Sequence, residues 1–214
     1  MHFPKAGGSS LLRQFEAIFG ATLLRDYAHP PLSRHEERVA APLTEGTAAV
    51  IGHFHAGKYD NVPNAVRATF LRHPIDNLIS IYFFWRGLAP VARIPAHVQF
   101  LAESPALDEF ALYPELRTLM SVAYFGNCDM GRFDFIGFHE TRKVDVPALG
   151  TLIGAPLDPE LHENRTVVAA REAEVLRSNE RLIRRVRDRL DDDIIFYEKL
   201  FALRVLGRAK TFAP

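Results

Sequence analysis

The segment "PKAGGSS", Pro4 to Ser10, runs without a break into "SLLRQFEAIFG", where Leu11, Leu12, Phe15, Ile18 and Phe19 recur at helical spacing. A glycine pair at the mouth of a helix constrains this chain more than any other feature. Glycine lets the backbone turn and approach a ligand closely, while the unpaired N–H groups of a helix's first turn and its dipole converge on one point. Such a point suits an anion. Ser9 and Ser10 add hydroxyl donors, and Lys5 adds a full positive charge. The pattern is not the GxxxxGK[ST] loop of nucleoside triphosphatases, because its Lys precedes the glycines. The same residues also read as a Ser-capped helix after a glycine turn, so the loop alone does not identify a ligand.

Downstream, "AAVIGHF" (Ala48 to Phe54) reads as a buried strand, and "ATFLRHP" as a β-rich run stopped by Pro74, which suits the first turn of a helix. That helix carries Leu78, Ile79, Tyr82 and Phe83 and ends near Gly87. Pro90, Pro95 and Pro105 make the stretch from Gly87 to Asp108 an irregular lobe with room for one short helix. "YPELRTLMSVAYF" reads as helix, "FDFIGF" as strand, Val146 to Ile153 as helix, and Arg171 to about Leu206 as two helices broken at Asp191 to Asp193. Strands alternating with helices predict an α/β fold with a mostly parallel central sheet flanked by helices, in one domain spanning residues 1–214.

Composition narrows the function. Lys plus Arg and Asp plus Glu are 26 each, so no global field draws the chain to nucleic acid or to an anionic membrane, and any anion site must be local. Cys128 is the only cysteine, which excludes an intrachain disulfide and a cysteine-cluster metal site. The histidines have no metal-site spacing, so no metal is expected. No stretch approaches the ~20 apolar residues that span a bilayer, and no export signal opens the chain. Cytoplasmic location is the resulting expectation.

A second motif, "FLRHPIDNLISIYFFW", sets Arg72 at a strand end and Ser80 in the helix that follows. Open α/β sheets bind ligands at that edge, and an Arg fork with a Ser hydroxyl could clamp a second phosphate. The two motifs in this order resemble the sulfotransferases that use 3′-phosphoadenosine 5′-phosphosulfate (PAPS), of the Golgi carbohydrate type. The likeness is greatest to the heparan sulfate 2-O-sulfotransferase branch and its bacterial relatives. "HFPKAGGSS" stands where that family has "HxPKTGGTS", and "LRHPIDNLISIYFF" where it has "LRDPxxRxxSxYxF". Ala6 replaces the usual Thr and His73 the common Asp. "FDFIGFHE" and "HENRT" (His162 to Thr166) resemble later family segments.

The resemblance implies a P-loop-like three-layer sandwich. It implies that Lys5, Gly7, Gly8, Ser9 and Ser10 hold the 5′ end of PAPS, and that Arg72 and Ser80 hold its 3′-phosphate. The family's "GH" pair matches Gly52 and His53, which makes His53 the expected general base, with His55 the second candidate. Lys5 would stabilise the leaving group. The acceptor is expected to be a hydroxyl on a carbohydrate, with the stretch from Gly87 to Asp108 as its binding region. A nucleotide-dependent phosphotransferase of related fold and a non-catalytic nucleotide-binding protein are the alternatives.

The remaining side chains read as structural. His2 shapes the backbone beside the loop, Trp85 belongs to the core, and Arg177, Arg181, Arg184 and Arg185 form a solvated stripe. Only Met1, His2 and Phe3 precede Pro4, whereas a strand usually needs about five residues. The strand expected before the loop is therefore missing or reduced to a stub, which suggests a truncated N-terminus unless another segment such as "ATLLRDY" fills its place.

Overall fold

The computed structural model describes residues 1–27, 31, 43–161 and 167–211. "HENRT" lies outside the described residues.

Helix α1 (Gly8–Phe19) begins directly after the glycine turn, and its C-cap is Gly20, as the periodicity predicts. Strands β1 (Leu23–Asp26) and β2 (Ala49–Gly52) pair in parallel, with Leu23 opposite Ala49 and Asp26 opposite Gly52. Strand β3 (Ala68–Leu71) gives way at Pro74 to α2 (Pro74–Arg86), where Pro sits in the first turn and His73 stays outside the helix. β4 (Phe135–Phe138) pairs in parallel with β3, Ala68 opposite Phe135 and Leu71 opposite Phe138.

The four strands therefore form two parallel pairs, and the first three residues lie between them. The amide of His2 donates to Gly52 O at 3.2 Å, the amide of Phe3 to Phe70 O at 3.1 Å, and the Met1 amino group to Ala68 O at 3.1 Å. Met1 and Phe3 climb beside Ala68 and Phe70 in the sense of a parallel ladder, so three extended residues bridge the pairs. "ATLLRDY" does not fill this place, because β1 lies on the other side of β2. Below Met1 a cavity of about 530 Å³ separates the beginnings of β2 and β3, lined by residues such as Val50, Phe70, Leu11, Phe15 and Leu149. Burial lowers the pKa of the Met1 amino group, at the head of this cavity, to about 5.

The stretch after Gly87 is more regular than its prolines suggest. It holds α3 (Pro95–Glu103), followed by the single turns α4 (Leu107–Phe110) and α5 (Pro114–Arg117). Pro95 and Pro114 open helices rather than break them. Tyr82, Trp85, Phe100 and Phe110 meet ring against ring, with centroids 4.8–5.7 Å apart, and this cluster fastens α2 to α3 and α4. Trp85 is core, as expected.

A π-helical turn (Leu119–Tyr124) follows α5. The C-terminal part comprises α6 (Arg142–Ile153), α7 (Val167–Ser178), α8 (Glu180–Arg189) and α9 (Asp191–Thr211). The Asp triplet opens α9, where carboxylates complement the helix dipole. The Arg stripe is tied to the chain's own carboxylates in part: Arg177 Nε bonds Asp76 at 2.7 Å and Arg185 Nε bonds Asp108 at 2.8 Å.

Strands alternating with helices make this an α/β fold with short parallel pairs. Among the described residues, no helix is long and apolar enough to cross a membrane.

Candidate functional site

The glycine turn is held from below. Pro4 O accepts a 2.6 Å bond from Asn77 Nδ2 of α2, and Lys5 O accepts a 3.0 Å bond from Arg72 Nη1. Lys5 takes a left-handed φ of 59°, a conformation that costs a non-glycine residue about 1–3 kcal/mol and persists only when neighbours fix it. Those two bonds do so. Gly7, at φ 92°, is the left-handed N-cap of α1. Gly8 is glycine for a different reason: a Cβ there would fall inside the ring of His2. His2 therefore braces the loop, as the sequence suggests.

The first backbone bond reaching α1 from the turn is Leu11 N–H to Gly7 O at 3.4 Å. The amides before Leu11 are those that a helix N-terminus presents outward. Ser9 is exposed and Ser10 buried, so the hydroxyl on the open side of the turn is that of Ser9.

Three of the four parallel strands end beside this turn. Gly52 closes β2 and hands over to His53, Leu71 closes β3 and hands over to Arg72, and Phe138 closes β4 and hands over to His139. The His2 and His53 rings stand 4.4 Å apart edge to face, and Tyr27, just past β1, is 5.0 Å from His53 while its hydroxyl bonds His2 Nε2 at 2.8 Å. Helical spacing sets Ser80 between Asn77, which reaches Pro4, and Phe84, whose ring carries the Lys5 ammonium at 4.0 Å. Ser80 thus faces the loop side of α2.

Charge in the site follows from burial. Burial, and then the positive charge of Lys5, lower the pKa of His53 to about 4, so its imidazole is neutral at pH 7. Its Nε2 is buried and has no hydrogen-bond partner among the described residues. His55 differs. Its Nδ1 accepts from the Gly57 amide at 3.2 Å and its Nε2 donates to Gly126 O at 3.0 Å, so both ring nitrogens are occupied by backbone. Burial and the neighbouring Arg72 lower the Lys5 pKa, and burial lowers that of Arg72, whose Nε is buried without a partner among the described residues.

Comparison of the chain with family models, curated proteins and solved structures gives no match.

Of the residues singled out in the sequence, Lys5, Gly7, Gly8, Ser9, Ser10, His53, Arg72 and Ser80 all border one turn, although Lys5 rests on Phe84 and Arg72 supports the turn from within. In the expected acceptor region Ala96, His97, Phe100 and Leu107 are buried, while most of its other residues, among them Leu88, Val98 and Gln99, are exposed. Three residues near the turn went unassigned. Asn77 ties α2 to Pro4, and His139 and Arg142 stand beside Gly7. The signal for the last two was present, since "FDFIGF" predicts a strand and the residues after a parallel strand lie at the edge that gathers ligands. Among the described residues no cluster of three metal-ligating side chains occurs.

Proposed function

We propose that this chain is a PAPS-dependent sulfotransferase acting on a hydroxyl acceptor, with a carbohydrate as the acceptor class, in a P-loop-like fold. The reading is supported most by the bond from Arg72 Nη1 to Lys5 O, which joins two motifs 67 residues apart into one unit. A nucleotide with phosphates at both ends needs two such motifs side by side. A helix capped by serine needs neither the second motif nor its contact.

In this reading the acceptor oxygen attacks sulfur in line, the bond between sulfur and the bridging oxygen of the 5′-phosphate breaks, and 3′-phosphoadenosine 5′-phosphate leaves. His53 takes the acceptor proton. It suits that part better than His55, whose ring lone pair is already used by the Gly57 amide. A conjugate-acid pKa of about 4 makes His53 a weak base, but the bound anion would offset the Lys5 charge and raise it. Because Nε2 is buried, the acceptor must uncover it.

Lys5 stabilises the charge that grows on the bridging oxygen and must leave the Phe84 ring to do so. The amides of the first turn of α1 hold the 5′ end, with Gly7, Gly8, Ser9 and Ser10 forming the cradle. Arg72 and Ser80 hold the 3′-phosphate and orient the nucleotide.

The test separates binding from chemistry. Lys5→Ala should lose turnover and weaken nucleotide binding, while His53→Ala should lose turnover, by ~10²–10⁴-fold, and bind nucleotide as before. Turnover of His53→Ala near the parent level would remove His53 from the mechanism.

A further inference from the structure

His53 has to present its imidazole in one direction, yet among the described residues its Nε2 has no hydrogen-bond partner to aim the ring. The ring's direction then depends on the backbone that carries it. His53 opens a loop, residues 53–59, that belongs to no helix or strand, so no ladder of backbone bonds fixes it.

Asp26, the last residue of β1, grips this loop at both ends. Its carbonyl accepts from the His53 amide at 3.0 Å. Its carboxylate reaches the far end, where Oδ2 accepts from the Tyr59 hydroxyl at 2.8 Å and pairs with Lys58 Nζ at 2.7 Å. The close approach depends on Gly52, because a Cβ there would collide with the Asp26 carbonyl. Between the two ends, the Ala56 amide donates to Tyr124 O at 2.8 Å and the Phe54 ring meets that of Tyr59 at 5.0 Å. Tyr27, next to Asp26, and His2 close on the His53 ring at 5.0 and 4.4 Å.

The side chains of Asp26 and Lys58 are only 8% and 10% exposed. Desolvating two charges costs about what their attraction returns, so an apolar pair of similar volume would serve stability as well. A carboxylate shared by an ammonium and a hydroxyl also fixes a geometry.

We propose that Asp26 is a positioning residue for His53, holding both ends of the loop 53–59 so that the imidazole stays between the His2 and Tyr27 rings. The inference rests on reading His53 as the base. It assigns the alignment of that base to a carboxylate that bonds the loop and not the ring.

Titration of the histidine ring signals by NMR tests this without substrate. His53→Asn assigns the His53 signal, and His139 serves as internal reference, since burial and then the charge of Arg72 lower its pKa to about 4 as well. In the parent neither ring should titrate between pH 5.5 and 8. Asp26→Asn keeps the shape and an acceptor for Tyr59 but removes the charge that Lys58 pairs with. The loosened loop admits water, so the His53 midpoint should rise by about one pH unit or more toward 6.5, with His139 unmoved. A folded Asp26→Asn protein whose His53 titrates as in the parent overturns the proposal, as does an equal shift of His53 and His139, which marks general loosening. Should Asp26→Asn fail to fold because Lys58 is left buried without its partner, Asp26→Asn/Lys58→Met and Tyr59→Phe decide, and parent titration in both overturns it. As the positioning residue of a sulfotransferase, Asp26 should also set turnover, which Asp26→Asn lowers by about 10-fold or more at unchanged affinity for 3′-phosphoadenosine 5′-phosphate. A shift confined to His53, in a chain that binds no 3′-phosphoadenosine 5′-phosphate, keeps the clamp and refutes the sulfotransferase reading. Tight nucleotide binding with a parent-like titration in Asp26→Asn does the reverse.

Discussion

His53 and His55 stand two residues apart, and their hydrogen bonds set them on different paths. Backbone groups fill both nitrogens of the His55 ring, whereas His53 keeps a buried Nε2 without a partner among the described residues. A buried neutral imidazole ties stability to pH. The folded value for His53 is about 4 and the unfolded value near 6.5, so between these the unfolded chain binds more protons. The contribution of His53 to stability is therefore complete above pH 6.5 and is lost as pH falls through 6.5 toward 4. The melting temperature should drop across that window, and less steeply in His53→Asn; identical slopes would show that His53 is not held neutral by the fold. The same depression predicts that kcat/KM, which reports the free enzyme, shows no inflection near pH 6.5 from this residue.

At the scale of elements, buried carboxylates join parts of the chain that sequence reading treats separately. Asp193, in the first turn of α9, accepts from the amides of Met120 and Ser121 at 2.8 and 2.7 Å and from the Ser121 hydroxyl at 2.6 Å, which pins the π-helical turn to α9. Asp193→Ala leaves these donors without their acceptor and should cost about 2–4 kcal/mol, read as a lower denaturation midpoint at unchanged slope. A loss under 0.5 kcal/mol would mean that water replaces the carboxylate at no cost.

Helices α1 and α2 were legible because apolar periodicity, the capping glycine after α1 and the proline opening α2 all agree. Strand β1 was legible only as the alternative "ATLLRDY" for the strand before the loop, because Leu24 and Arg25 are exposed on a four-residue edge strand and carry no burial pattern. The lobe after Gly87 was legible as irregular with one short helix, but not where that helix begins, because Pro95 occupies a first-turn position that sequence alone does not distinguish from a helix break. In the site, each motif was legible by itself. Arg142 was not, because it reaches the turn from α6, across a separation that no local pattern records.

At the scale of the whole molecule, backbone bonds of Met1, His2 and Phe3 join the two parallel strand pairs, above a mostly apolar cavity of about 530 Å³. Fusing five β-prone apolar residues ahead of Met1 would turn the buried amino group into a peptide N–H and fill the slot between β2 and β3. Two buried side chains yield ~1.5–3 kcal/mol each and the ladder bonds of the added strand to β2 and β3 ~1 kcal/mol each, together slightly more than the ~1–2 kcal/mol of backbone ordering for each of the five residues, so the melting temperature should rise by a few degrees. A Gly/Ser extension of equal length should not raise it, and equal effects of the two would show that the slot does not accept a strand. The same slot sits beneath the turn that carries Lys5, so its order bears on the proposed nucleotide site. That site is tested most directly by calorimetric titration of the chain with 3′-phosphoadenosine 5′-phosphate and with ATP, both without Mg²⁺. The proposed site should bind the first tightly, less so in Arg72→Ala, and should not bind ATP; ATP binding that requires Mg²⁺, with no affinity for 3′-phosphoadenosine 5′-phosphate, would refute it.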